Sequence, residues 1–493
     1  MNVSIIRYIL GHIIKLEGFF MLLPCVIAIV FNEKELFTYL AMSAVCILLG
    51  SLLTLKKAKD SVFYLKEGCI ATVLSWVFLS FLGALPFIFT GEIPSFTDAM
   101  FETVSGFTTT GASILTDIEA LSHTSLFWRS FTHWIGGMGV LVFLLAIVPL
   151  SGGSNMNLMR AESPGPSVGK LVPKMRYTAR ILYIIYFALT IVEMIALLIV
   201  KLPWFDALCI SIGTAGTGGF GILNTSCAAY PVEAQWIITI FMVLFSINFN
   251  AYYLILFGQI RNALKMEEVR AFLLIVFTAI AFITWDIQNM FGSLFEALTH
   301  AAFQVASIIS STGFATTDFD LWPGFSKTIL VLLMFIGACA GSTGGGIKVS
   351  RFVIMGKSIR NELHSYIHPK SVKQVVMDGK EIDSSVIRSI GIYLITFFAI
   401  FVLSILLVAL EEKDLVTNFT AVTATLNNIG PGLALAGPTQ NFAHFTDLSK
   451  WVFIFDMFAG RLELFPLLLM FHPSIWHELL VKPVRKKIKQ AHL

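Results

Sequence analysis

Charge is scarce in this chain: Asp, Glu, Lys and Arg supply only 13% of its 493 residues, where soluble domains carry about 25%. No stretch has the mixed polar surface of a water-facing domain, so a soluble body is excluded. The six cysteines, Cys25, Cys46, Cys69, Cys209, Cys227 and Cys339, are scattered, with no CxxC pair and no histidine at ligand spacing. They read as packing residues. No HExxH and no Ser/His arrangement falls on paired apolar stretches, which argues against a membrane-embedded enzyme. "GTGGFG" (Gly216–Gly221) fits GxGxxG but follows no parallel strand, and "GSTGGGIK" is not a phosphate loop because Ile347 separates Gly346 from Lys348. Neither implies a nucleotide site, and no organic cofactor and no nucleic-acid partner is expected. Lys and Arg are also missing from the whole connection between Gly91 and Trp128.

What is abundant is apolar: 56% of residues are hydrophobic and the mean hydropathy is +0.80. This describes an integral membrane protein in contact with the lipid bilayer. The apolar N-terminal run is too long for a signal peptide and has no small-residue cleavage site, so it reads as a first span. Runs of about 20 apolar residues predict about ten crossings, near 12–30, 37–55, 68–90, 126–150, 177–200, 236–258, 271–289, 328–350, 386–410 and 451–471. Basic connections alternate with poor ones. Lys56, Lys57, Lys59 and Lys66, then Arg160, Lys170, Lys174 and Arg176, then Arg261, Lys265 and Arg270, then Lys348 through Arg388, then the tail "VKPVRKKIKQ" mark the cytoplasmic side. Both termini are expected there, in a multi-pass protein of the cytoplasmic (inner) membrane.

The opposite connections each hold a half-span and then a polar, glycine-bearing stretch: "FETVSGFTTTGAS" (Phe101–Ser113), "LCISIGTAGTGGFG" (Leu208–Gly221), "FQVASIISSTGFAT" (Phe303–Thr316) and "TAVTATLNNIGPGL" (Thr420–Leu433). Superposing Gly111, Gly218, Gly313 and Gly430 also aligns Phe101 with Phe303 and Ser105 with Ser307. The chain is therefore read as an internal fourfold repeat. Irregular backbone at membrane depth is tolerated only when buried in protein or lining an aqueous cavity, and four copies around one axis meet that condition. Glycine permits the backbone angles that turn successive carbonyls inward. Such carbonyls replace the water shell of a monovalent cation, and half-helix C-termini aimed at them favour positive charge.

With "FWRSFTHWIGGMG" (Phe127–Gly139), "GACAGSTGGGIKVSR" (Gly337–Arg351) and "GRLELFPLL" (Gly460–Leu468), these loops make the chain resemble the TrkH/KtrB/HKT superfamily of potassium transporters, its TrkH branch in particular. The resemblance covers nearly the whole chain. It implies an all-α membrane protein with four pseudo-repeats of span, pore half-helix, filter loop and span around one pore, plus two N-terminal spanning helices. The expected divisions are 1–66 for the two N-terminal helices, 67–152, 153–262 and 263–384 for three pore units, and 385–493 for the fourth with its basic tail. It also implies transported potassium, a homodimer, and gating by a cytoplasmic nucleotide-binding subunit of the TrkA type. The largest cytoplasmic connection, from about Lys357 to Ser384, and the 151–176 loop are the expected docking surface.

The expected ion-binding residues are Thr109, Thr110 and Gly111, then Thr217, Gly218 and Gly219, then Thr312, Gly313 and Phe314, then Asn428, Ile429 and Gly430. Some plant members that carry sodium have Ser at the first filter glycine, whereas Gly111 stands in this chain, so potassium is favoured. Sodium- or proton-coupled cation symport with looser selectivity stays open beside gated potassium uptake. In the gate region, Gly344, Gly345 and Gly346 each cost a helix about 1 kcal/mol relative to Ala and should unwind it. Gly341, Ser342, Thr343, Gly344, Gly345, Gly346, Lys348 and Arg461 are the expected gate, a close-packing kink being the other reading. Arg461, inside the last span, should reach the Gly341–Gly346 carbonyls or pair with an acid such as Glu193. Arg129 is explained equally by snorkelling to the interface, and His133 by packing and hydrogen bonding. Asp98, Glu102, Asp318 and Asp320 read either as cation-concentrating residues at the mouth or as solvated loop acids.

Overall fold

The computed structural model describes residues 2–56, 64–139, 175–369 and 373–475, with 175–178 described as backbone alone. The loop 151–174, the end of the span expected at 126–150, and the tail beyond 475 lie outside them. The architecture among the described residues is all-α apart from one two-stranded hairpin, Val376–Met377 against Lys380–Glu381. Among the described residues six helical segments are long and apolar enough to cross a membrane: Val3–Phe31, Leu36–Thr54, Leu65–Thr90, Ala179–Ile199, Glu267–Met290 and Ser384–Glu411. Their outward faces stay apolar. Leu274, Phe277 and Trp285 are exposed on one such helix, as lipid-facing residues are.

Three more of the expected crossings are interrupted. The one expected at 236–258 is two helices, Val232–Ser246 and Phe249–Leu256, meeting at 92°. Asn248 makes the corner, its side chain accepting the Asn250 N–H at 2.9 Å. The one expected at 328–350 stops at Phe335 and resumes at Val349, leaving the glycine segment non-helical. The last breaks after Arg461, where Glu463 and Leu464 take positive φ.

Four short helices enter between the long ones: Phe96–Phe107, Trp204–Gly216, Leu294–Ile309 and Leu415–Leu426. At about 1.5 Å per residue none spans the roughly 30 Å of hydrocarbon. Their starts are written locally. Ser95, Ser293 and Asp414 accept the N–H of Asp98, Glu296 and Thr417 at 3.3, 3.1 and 3.0 Å, ordinary N-caps, and Pro203 precedes Trp204. The helices that follow the first and the fourth press directly on their C-terminal ends because glycine allows it. A Cβ on Gly136 would stand 1.8 Å from the Phe107 oxygen, and one on Gly460 2.0 Å from the Leu426 oxygen.

Candidate selectivity ring and glycine barrier

Each short helix ends in the same backbone turn. Thr109, Thr217, Ser311 and Asn428 adopt positive φ, and so, two residues later, do Gly111, Gly219, Gly313 and Gly430. Between them, the N–H groups of Thr110, Gly218, Thr312 and Ile429 bond back to the carbonyls of Ser105, Gly213, Ser307 and Ala424 at 2.8 to 3.0 Å. This six-to-one bond closes a helix C-terminus. It fixes the register of the four loops. The second loop differs from the expected alignment by one residue: its positive-φ glycine is Gly219, and Gly218 takes the place of Thr110, Thr312 and Ile429.

The four loops face one another in a closed cycle. A Cβ on Gly111 would stand 2.1 Å from the Gly218 oxygen, and one on Gly219 1.8 Å from the Thr312 oxygen. A Cβ on Gly313 would lie 2.1 Å from the Ile429 oxygen, and one on Gly430 2.8 Å from the Thr110 oxygen, returning to the first loop. Thus four carbonyls, from Thr110, Gly218, Thr312 and Ile429, alternate with four glycines around a common centre. All four residues are buried, and among the described residues none of these carbonyls accepts a hydrogen bond. Buried backbone oxygens are rarely left so. The carbonyl of Phe314, by contrast, accepts the Ser307 hydroxyl at 2.6 Å. The four glycines also share one cavity of about 230 Å³ with Asn224, Gln440 and Asn441.

Behind the first loop lies an ion pair, where an interface residue and a mouth acid had been among the expectations. Arg129 and Glu102 are 1% and 0% exposed and 2.8 Å apart. Glu102 also accepts the Ser113 hydroxyl at 2.9 Å and the Ile114 N–H at 3.0 Å. Snorkelling is therefore corrected for Arg129 and a mouth role for Glu102: Glu102 holds the chain after Gly111, and Arg129 is buried against Glu102. His133 is packed and hydrogen-bonded, one nitrogen 2.7 Å from the Gly106 oxygen, the other accepting the Phe220 N–H at 3.2 Å. Asp98 pairs with Lys450 at 2.6 Å. Asp318 accepts the Thr439 hydroxyl at 3.3 Å, and Asp320 lies 3.9 Å from Lys327.

On the other side of the loops sits the non-helical segment around Gly341–Gly346. The Gly345 N–H donates to the Ser311 hydroxyl at 2.5 Å, and a Cβ on Gly345 would stand 2.6 Å from the Asn427 oxygen. One on Gly344 would meet the Ser310 oxygen at 2.8 Å. The segment therefore lies against the ends of the third and fourth short helices. Lys348, 2% exposed, donates to the carbonyls of Gly344 and Gly345. Arg461 donates to the Thr343 oxygen at 2.9 Å, the Gly137 oxygen at 2.7 Å and the Gly136 oxygen. The first of its two expected partners is thus present. Glu463, beside it, pairs with Arg351.

Two contributors escaped the sequence reading. The 92° corner frees backbone groups that the glycine segment takes up: Cys339 N–H to Ser246 O at 3.1 Å, Phe249 N–H to Gly341 O at 3.0 Å, and the Thr343 hydroxyl to Phe245 O at 3.2 Å. Glu268, 3% exposed, accepts the Ala340 N–H at 2.6 Å and the Ser350 N–H at 3.1 Å. It clamps both ends of the segment. In "KMEEVR" no residue-type signal separates it from Glu267.

Comparison with known proteins finds similarity along nearly the whole chain. The Trk system potassium uptake protein TrkH of Escherichia coli (strain K12) is 34% identical over 486 residues, covering 97% of this chain and 100% of that protein. The Trk system potassium uptake protein TrkG of the same organism is 32% identical, over 96% of this chain and 99% of that protein. The crystal structure of the potassium transporter TrkH from Vibrio parahaemolyticus superposes with a TM-score of 0.86 at 30% identity, covering 97% of this chain and 100% of that one. These relatives are transporters and not enzymes. Residues 36–478 match the TrkH family of cation transport proteins, and the chain belongs to that family.

Proposed function

We propose that this chain takes up potassium across the cytoplasmic membrane through a filter made by its four glycine loops. The observation that carries the reading is the closed cycle of four buried carbonyls, from Thr110, Gly218, Thr312 and Ile429, without hydrogen-bond donors among the described residues. An alkali ion at their centre supplies the missing partner and exchanges its water shell for main-chain oxygen. The short helices direct their C-terminal carbonyl ends at the same point, adding the negative end of four helix dipoles. The chain divides accordingly into four units around one pore.

The segment Gly341–Gly346 is the gate in this reading. Held by Lys348, Arg461 and Glu268 against Ser310, Ser311 and Asn427, it lies across the path leaving the filter. Control comes from outside the membrane. Glu267, next to Glu268, is bonded to Lys357 and, through Asp378 at 2.7 Å, to the Val376–Glu381 hairpin. A cytoplasmic nucleotide-binding subunit of the TrkA type that moved the hairpin would pull on the clamp, and a homodimer gives such a subunit two pores to act on. The basic residues near these cytoplasmic ends, among them Lys265, Arg270 and Lys357, support termini on the cytoplasmic side.

The test is flux through the purified protein in liposomes, measured for potassium and for sodium under equal gradients. Potassium flux is expected to exceed sodium flux by about tenfold or more, the ratio given by about 1.4 kcal/mol of differential binding. Equal fluxes overturn the carbonyl filter as the basis of transport.

A further inference from the structure

We propose that His133, supported by Arg129 one turn before it, is a specificity-determining positioning residue that sets the Gly218 carbonyl. The inference rests on the filter reading above. Three of the four carbonyl-bearing residues are tethered by their own side chains. The Thr110 hydroxyl lies 2.8 Å from that of Thr108 and accepts the Asn428 amide at 2.9 Å. The Thr312 hydroxyl is 2.6 Å from that of Ser310. Ile429 is anchored in the apolar core at 1% exposure. Gly218 has no side chain to hold it.

His133 fills that vacancy from a neighbouring helix. A Cβ on Gly218 would stand 2.0 Å from Cγ of the His133 ring, so ring and side chain are mutually exclusive there. Nε2 accepts the Phe220 N–H at 3.2 Å. The proton therefore sits on Nδ1, which donates to the Gly106 oxygen at 2.7 Å. One neutral imidazole thus spans from the first half-helix to the residue two beyond Gly218. Arg129 secures the same stretch of the loop: its guanidinium lies 4.0 Å over the Phe220 ring and donates to the Gly221 oxygen at 3.1 Å, while Glu102 holds its charge. With the chain just after Gly218 fixed by both side chains, the Gly218 oxygen keeps its place opposite Gly111. Without them, it relaxes toward whichever ion is present, and a flexible carbonyl ring discriminates less well between ions of different radius.

Liposome flux of potassium and sodium through folded, monodisperse variants tests this. His133→Leu keeps the bulk and removes both hydrogen bonds, and the potassium-to-sodium ratio is expected to fall about tenfold, the scale of one unsatisfied buried group. His133→Gln offers a donor and an acceptor again and is expected to restore the ratio to within about threefold of the original protein. Arg129→Lys keeps the charge beside Glu102 but loses the planar contacts to Phe220 and Gly221, and the ratio is again expected to fall; it reads the brace even where His133→Leu does not fold. A merely structural role lowers both fluxes in proportion and leaves the ratio alone, and that result overturns the proposal. Gly313→Ser is the control: if it shifts the ratio and the His133 and Arg129 variants do not, the brace fails while the filter stands. If it does not, the filter reading itself has failed.

Discussion

Gly313→Ser is expected to lower the potassium-to-sodium flux ratio by about tenfold or more while the protein still folds. The residue has φ +85°, and a Cβ there would stand 2.1 Å from the Ile429 oxygen and 2.9 Å from Cδ of Pro431. An L-residue in the left-handed region costs roughly 1–2 kcal/mol by itself. Relief of the close contact has to come from moving a carbonyl that faces the centre of the ring. Since about 1.4 kcal/mol is a tenfold change in an equilibrium, a displacement that unbalances the two ions by even that much is readily measured. Serine also brings a hydroxyl that can serve the smaller ion as a ligand. A folded variant whose ratio equals that of the original protein contradicts the assignment of Gly313.

Deleting Gly344–Gly346 is expected to raise potassium flux about tenfold or more in protein assayed without any cytoplasmic partner. The deletion removes the Gly345 N–H that donates to Ser311 and the carbonyls that receive the Lys348 ammonium. Hydrogen bonds to charged groups contribute about 1.5–3 kcal/mol each, so losing those of Lys348 alone is enough to reverse a modest closed-state preference. Glu268 still holds Ala340 and Ser350, which keeps the flanking chain attached and limits the change to the barrier. The ion preference is expected to stay as it was, because the carbonyl ring is untouched. Thermal stability read alongside separates opening from collapse: a stably folded deletion with reduced potassium flux removes the gate from the account.

The four loops were legible because membrane-embedded chain has few reasons to carry Thr, Ser, Asn and Gly in clusters, and irregular backbone at that depth has to be buried in protein or line a cavity. Register within the second loop was not. "TGGFG" offers adjacent glycines, and composition cannot say which one takes positive φ; the Gly218 N–H bond to the Gly213 carbonyl sets the register, and the His133 ring requires glycine at 218. Arg129 and Glu102 were misjudged for a related reason. Twenty-seven residues apart in sequence, they meet only because the first half-helix folds back beside His123–Gly137, and such a pairing leaves no local mark. The corner at Asn248 lacks the glycine or proline that usually announces a break. It is sustained by distant groups, the Cys339 N–H and the Gly341 carbonyl, so a local reading could only continue the helix. The break in the crossing expected at 328–350, by contrast, was visible from three consecutive glycines, whose backbone cost in a helix is intrinsic.

The most direct measurement is the position of a heavy potassium surrogate, rubidium or thallium, located by anomalous scattering in crystals of this protein. The account places a peak at the centre of the Thr110, Gly218, Thr312 and Ile429 carbonyls, at comparable distance from all four oxygens. Ions found elsewhere in the protein, with that centre empty at saturating rubidium or thallium, contradict it.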